Sequence, residues 1–214
     1  MRKLTLKSNT YSGKLIVFEG TDGAGKTTMI GLTRQLLEEK YGEEQVISVK
    51  QPTDMSRKTK LFQKMMYSRN HEEIDYRAVQ LLTMSDRVQH CFEMVVPALK
   101  EGKTVICDRY IFTSLANMLA RGYREENWFF DVAKHLIQPN ITFLAYVEPE
   151  LAIRRIKERP SESDRYLDEN LLRNVAKEFK GMAIEQKFEI IDTSQDSQSA
   201  FAVVKKRLEK EGLI

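Results

Sequence analysis

The stretch KLIVFEGTDGAGKTT at residues 14–28 opens with a short apolar run, Lys14–Glu19, and passes directly into Gly20-Thr21-Asp22-Gly23-Ala24-Gly25-Lys26-Thr27. A continuous apolar run of this length reads as a strand buried on both faces. The eight residues after it complete a G-x-x-x-x-G-K-T pattern in the setting that gives it meaning, with a strand before it and a helical pattern after it. The glycines permit backbone angles that gather several N–H groups into one anion nest. A helix starting near Lys26 adds its positive end. The pattern assigns Gly20, Asp22, Gly23, Ala24, Gly25, Lys26, Thr27 and Thr28 to the phosphates of a nucleoside triphosphate such as ATP. Lys26 is expected to reach the β- and γ-phosphates, and the Thr27 hydroxyl to ligate Mg2+.

Four more strand candidates lie downstream, at Gln45–Lys50, Lys103–Cys107, Ile141–Val147 and Phe188–Asp192. Each is rich in β-branched or aromatic residues and bounded by Gly, Pro or charged residues. Helical patterns separate them. One comes after Lys26, and others run through Thr113–Arg121, Trp128–Ile137, Glu169–Ile184 and Ser199–Lys210. The longest runs from Ile74 to Leu99. Its apolar residues Ile74, Ala78, Leu81, Leu82, Val88, Phe92, Val95, Val96 and Leu99 step by threes and fours along one stripe, and Pro97 is expected to bend or end it. Strand–helix alternation of this kind predicts right-handed crossovers and a parallel sheet with helices on both faces. The expected fold is a P-loop NTPase α/β fold with a five-stranded parallel sheet, in a single domain over residues 1–214.

Composition excludes several classes. Of the 214 residues, 42% are hydrophobic and 30% charged, an ordinary globular balance. A formal charge of +3 is too small and too dispersed for a nucleic-acid polymer to be the partner, while anionic small substrates suit it. No apolar run is long enough to span a bilayer, and the polar start has no signal-peptide core. The two cysteines, Cys91 and Cys107, lack the number and spacing for a disulfide framework or a zinc site. They read as buried thiols, which points to a reducing, cytoplasmic setting. A guanine-reading Asn/Thr-Lys-x-Asp segment is absent too, so a regulatory GTPase does not fit, whereas a small-molecule kinase does.

Two further segments bear on the chemistry. The third strand candidate runs into Asp108-Arg109-Tyr110, and a parallel strand's carboxyl end opens onto the crevice where ligands bind. Asp108 is thereby placed to hold the metal through its water shell, and Arg109 to contact the phosphates. Residues 154–167 are dense in arginine and broken by Pro160, with Arg155, Arg159 and Arg165 among them. A charge run is ordinarily a solvated helix end. Phosphoryl transfer, however, needs positive charge that arrives once both substrates are bound, and closure that excludes water. No arginine sits among the variable positions of the glycine-rich loop, so this lid is the natural donor. The sequence thus nominates Lys26, Asp108, Arg109 and Arg165 as catalytic.

These residues resemble the thymidylate (dTMP) kinase family, and the resemblance covers nearly the whole chain. LIVFEGTDGAGKTT is similar to that family's opening, LLTMSDRVQH to its base-reading helix, VICDRYIFTSLA to its Asp-Arg-Tyr strand end and IKERPSESDRYLDE to its lid. The resemblance implies a homodimer and transfer of the ATP γ-phosphoryl group to dTMP, giving dTDP. By position it implies that Asp22 meets the acceptor sugar's 3′-hydroxyl and Arg87 the pyrimidine base. Arg109 would take the acceptor phosphate and Arg165 the donor phosphates. The acceptor set implied is Asp22, Pro52, Thr83, Arg87, Arg109, Tyr110, Ser114, Asn117 and Met118. The chain also departs from the pattern. Thr83 stands where the family usually has a Phe that stacks on thymine, and Asn117-Met118 where it has Tyr and often Gln. Lys50-Gln51-Pro52-Thr53 replaces Arg-Glu-Pro-Gly. Tyr110, Phe112 or Met84 would have to supply a stacking surface instead. Three readings stand: a dTMP kinase, a kinase for another phosphorylated acceptor, and a nucleotide-binding protein without catalysis.

Overall fold

The protein is described by a computed structural model that covers residues 4–69, 72–159 and 166–214. Five strands form one sheet: β1 Lys14–Glu19, β2 Val46–Lys50, β3 Thr104–Asp108, β4 Ile141–Tyr146 and β5 Glu189–Asp192. Their order is β2-β3-β1-β4-β5 and every pairing is parallel. Each expected strand is present, shifted by no more than one residue at an end.

The apolar runs are continuous because both faces of the sheet are covered. Successive side chains of β1 alternate, so Leu15 and Val17 enter one core while Ile16 and Phe18 enter the other. Helices α1 (Lys26–Tyr41) and α10 (Ser197–Lys210) close the second core, where Phe18 stacks on Phe143 at 4.9 Å. The first core is closed by α4 (Tyr76–His90), α5 (Val96–Lys100), α6 (Ile111–Ala120), α7 (Asn127–Ala133) and α9 (Glu169–Gln186). A smaller cluster under α8 (Pro149–Lys157) backs the glycine-rich loop.

Three features differ from the pattern read in the sequence. Two short helices, α2 (Asp54–Arg57) and α3 (Lys60–Tyr67), come after β2. Their only local signal is a capping threonine each: Thr53 accepts from the Met55 N–H and Thr59 from the Phe62 N–H. Pro97 does sit in the last turn, which runs on to Lys100, but a π turn at Cys91–Val95 that the pattern does not mark precedes it. The widened turn accommodates a residue with no N–H to give and a ring that crowds the preceding turn. The third difference concerns the face of α4. Its inward side carries Tyr76, Val79, Gln80, Thr83, Met84, Asp86 and Arg87. Ala78, Leu81 and Phe92 point outward, Leu81 being 52% and Phe92 73% exposed. The rest of the expected stripe does face inward, with Val95 and Leu99 buried and Ile74, Leu82, Val88 and Val96 packed against the first core. Where the helix walls the cleft it turns polar residues inward as well.

Candidate active site

Parallel strands bring the loops after β1, β2 and β3 to one edge of the sheet. At that edge Gly20, Gly23 and Gly25 all take positive φ, at 137°, 78° and 79°. A Cβ on Gly20 would run into the carbonyl of Ala145, and one on Gly23 into that of Ala152. The turn is therefore closed to any larger residue. Gly25 is the N-cap of α1 and provides no side-chain cap, and no acid lies in the helix's first turn. Its leading N–H groups and dipole are left available to an anion. The loop is braced from behind, where Thr193 Oγ1 donates to Ala24 O at 2.8 Å.

Lys26 is 7% exposed, and its ammonium donates to Gly20 O at 2.9 Å and Thr21 O at 2.8 Å. Burial, followed by the charge of Arg109, pulls its pKa down to about 7, against the opposing pull of Asp22, Asp108 and Glu19. Thr27 and Thr28 lie exposed on the first turn of α1.

Arg109 comes directly after β3 with φ 67°, a strained angle for a residue with a side chain. Its backbone N–H is tied to Phe18 O at 2.9 Å. One guanidinium nitrogen donates to Gly20 O at 2.9 Å, and the other pairs with Asp22. Burial works against the charge, but Asp22, Asp108 and Glu19 outweigh it and hold the guanidinium's pKa above its ordinary value. Glu19 is wholly buried at the end of β1 and accepts from the N–H groups of Tyr110 (2.9 Å) and Thr113 (3.1 Å), and from the Thr113 hydroxyl. Burial raises its pKa. Glu19 is not among the residues nominated from the sequence, although an acid closing an apolar strand beside a phosphate loop is a readable signal.

Next to this cradle lies a cleft of about 490 Å3. Asp22, Pro52, Thr83, Arg87, Arg109, Ser114 and Asn117, all nominated from the sequence, line it. Tyr110 and Met118 do not, which corrects their assignment to the acceptor. Tyr110 is fully buried, its hydroxyl donating to Ile137 O at 2.9 Å, and Met118 is 1% exposed in the core. Met84 and Phe112 are likewise core residues, so no stacking surface comes from Tyr110, Phe112 or Met84. Residues that the sequence pattern does not single out line the cleft instead, among them Arg57, Phe62, Tyr76, Gln80 and Arg121.

Arg57 sits on α2 with its Nε donating to Pro52 O at 2.7 Å. Burial, then the charge of Arg109, lowers its pKa. Asp86 fixes that segment, accepting from the N–H groups of Thr53 (2.8 Å) and Ser56 (3.1 Å). Arg87 is 1% exposed and donates to Thr83 O at 3.1 Å, while its Nε has no partner among the described residues. Its pKa is lowered by burial.

Of the lid residues, Arg155 lies on α8 and donates to Gly23 O (3.4 Å) and Thr193 O (3.0 Å), so it clamps the back of the phosphate loop. That placement corrects its reading as a lid group. Arg159 is exposed just beyond α8. Arg165 lies outside the described residues.

The donor set suits Mg2+. Asp108 keeps one buried carboxylate oxygen, Oδ1, without a partner among the described residues, and the Thr27 side chain is open at the start of α1. Among the described residues no group of three or more His, Cys, Asp or Glu gathers. Magnesium needs none, since one carboxylate, a hydroxyl, substrate phosphates and waters complete its shell.

A triphosphate cradle that shares its arginine with a second, separate cleft is the arrangement of a P-loop kinase for a small acceptor. A family model described as thymidylate kinase matches residues 18–203. Thymidylate kinase of Limosilactobacillus reuteri is 32% identical over 201 residues, covering 90% of this chain and 94% of that protein. Thymidylate kinase of Geobacillus thermodenitrificans is also 32% identical, over 92% of each chain. The crystal structure of thymidylate kinase from Ehrlichia chaffeensis shares the fold, with a TM-score of 0.68 at 24% identity over 92% of this chain and 98% of that one. The chain belongs to the thymidylate kinase family. It is a nucleoside monophosphate kinase, and its reaction moves a phosphoryl group from ATP to dTMP to give dTDP.

Proposed function

We propose that this reaction runs with Mg2+ and that donor and acceptor meet at Arg109. The observation that carries the reading is the position of the Arg109 side chain, between the Gly20 carbonyl of the phosphate loop and Asp22 at the mouth of the cleft. In this account the N–H groups of residues 20–28 and the Lys26 ammonium cradle the ATP phosphates. Arg109 and Arg57 hold the acceptor phosphate in line with them. An oxygen of that phosphate attacks the γ-phosphorus and ADP departs. Asp22, released from Arg109 by the incoming phosphate, turns to the sugar's 3′-hydroxyl, and Arg87 donates to the base. Thr27 and Asp108 would hold the metal, which would neutralise charge on the triphosphate. Arg159 and Arg165 would bring further positive charge to the donor phosphates. The chain works as one catalytic domain, residues 1–214.

A coupled ADP-release assay over a panel of nucleoside monophosphates tests the reading. Release that depends on dTMP is expected. Release with another acceptor alone would favour a kinase for that acceptor, and release with none would favour a nucleotide-binding protein without catalysis.

We also propose a homodimer paired through α4. Ala78 and Leu81 on its outer face and Phe92 just beyond its end are exposed, and a second copy across a twofold axis would cover them. Sedimentation of the native chain beside Phe92→Glu reads this directly, with a shift to monomer expected. No helix of the described residues is long and apolar enough to cross a membrane. With buried, unpaired thiols at Cys91 and Cys107, we assign the chain to the cytoplasm, acting on nucleotides and not on a nucleic-acid polymer.

A further inference from the structure

The base end of the cleft lacks an aromatic face where the family resemblance would put one. Thr83 is 3% exposed, and its hydroxyl donates back into its own helix, to Gln80 O (3.2 Å) and Gln80 Oε1 (3.3 Å). Arg87 lines the cleft, but an edge contact from its guanidinium would leave the base's faces uncovered.

Arg121, immediately after α6, answers this gap. Its guanidinium carbon stands 4.0 Å from the centroid of the Tyr76 ring, close to van der Waals contact with the ring face. Asn117 braces it from one side: Arg121 Nη1 donates to Asn117 Oδ1 at 2.8 Å and to Asn117 O at 3.3 Å. The Asn117 amide is itself anchored, with Nδ2 donating to Thr113 O at 2.9 Å. Both atoms of the Asn117 amide are therefore engaged, Nδ2 with Thr113 and Oδ1 with Arg121. Glu126 and Glu178 pair with Arg77 and Arg124. A cation that is stacked, braced and without an acidic partner among the described residues lines the same cleft as Thr83 and Arg87.

We propose that Arg121, stacked on Tyr76 and held by Asn117, is the platform on which the acceptor's pyrimidine ring lies. Guanidinium planes stack on bases as aromatic rings do. A planar, weakly hydrated cation gives up little solvation when a base covers its free face, whereas an ammonium on a flexible stem gives up more. Arg121 supplies the face and Arg87 the edge, so the site takes a pyrimidine nucleoside monophosphate. Asn117 is a positioning residue that acts through Arg121. The departures at Thr83 and Asn117 become one change: an aromatic platform on α4 is exchanged for a braced guanidinium from α6. This inference rests on reading the cleft as the acceptor site.

The test is calorimetric binding of dTMP, which needs no turnover, beside steady-state KM values for dTMP and ATP. Arg121→Lys keeps charge and stem but removes the plane, and it is expected to weaken dTMP binding about fivefold or more while leaving the ATP KM unchanged. Asn117→Ala is expected to weaken dTMP less, and to add nothing on the Arg121→Lys background. Thr83→Phe on that background is expected to restore part of the lost affinity. Ligand-free melting temperatures confirm that each variant is folded. Native-like dTMP affinity in Arg121→Lys, or dTMP and ATP constants that rise together, overturns the platform. Arg121-dependent binding without any phosphoryl transfer would sink the kinase reading and leave the platform standing.

Discussion

At the phosphate end of the cleft the charge is delivered by backbone N–H groups and by Lys26, all within one nine-residue run. On the acceptor side it is delivered by Arg57, Arg87, Arg109 and Arg121, drawn from four separate segments of chain. The first arrangement tolerates almost no change, because Gly20 and Gly23 abut carbonyl oxygens of β4 and α8. The second tolerates exchange, because a base can be covered by any flat surface that reaches it. A kinase built this way keeps its chemistry while its acceptor side is rewritten.

The largest effect that probes this contrast is the loss of Lys26. Lys26→Met is expected to lower kcat about a hundredfold or more, as removal of one preorganised charge does. The ligand-free fold should survive it, since Gly20 O still accepts from Arg109 and Thr21 O from the Ala24 N–H. The sign of the pKa shift agrees. A lysine whose folded pKa falls to about 7 carries a burial cost that is fully present below pH 7 and is relieved as pH rises toward its unfolded value. The variant should therefore melt no lower than the native chain at pH 6. A variant with near-native turnover would break the account of the phosphate end.

Arg165→Ala comes next, and should depress kcat much more than it weakens ATP binding, as contacts made only in the closed transition state do. A rise in the ATP KM alone would make it an ordinary binding group. On the acceptor side, Arg57→Ala is expected to raise the KM for the monophosphate about tenfold with little change in the ATP KM, the magnitude of one charged hydrogen bond. An ATP KM that moves with it would place Arg57 at the donor phosphates.

The same contrast explains what could be read from the sequence. The phosphate end was legible because its function comes from backbone angles, and glycine spacing reports backbone angles directly. The sheet was legible because strands buried on both faces spell out continuous apolar runs. The acceptor end was not, for two reasons. Arg57 lies on a helix whose only local mark is the Thr53 cap, and Arg121 acquires meaning only through Tyr76, far away in sequence. Tyr110 and Met118 misled because adjacency to Arg109 and Asn117 along the chain does not bring them to the same face; both turn into the core. The stripe through α4 misled only at Ala78, Leu81 and Phe92, because the helix also turns polar residues toward the cleft.

A smaller effect comes from Lys26 alone. With its pKa near 7 in the ligand-free chain, nucleotide phosphates should raise it, so binding at pH 8 takes up a proton. ATP affinity should then decline as pH rises above about 7, and the calorimetric enthalpy at pH 8 should depend on the buffer's ionisation enthalpy. Lys26→Met should abolish that dependence. A buffer-independent enthalpy in the native chain would show that the ammonium is already fully charged.

The central claim is that an intact phosphate end serves a rewritten acceptor end. It is tested most directly by kcat/KM for dTMP, dUMP and UMP, measured in the native chain and in a Thr83→Phe, Asn117→Tyr double variant. That variant restores the ring and removes the brace on Arg121. The account predicts that the native chain uses all three acceptors with modest discrimination, and that the double variant widens the preference for dTMP over UMP. A native chain that already prefers dTMP over UMP by several orders of magnitude would contradict it.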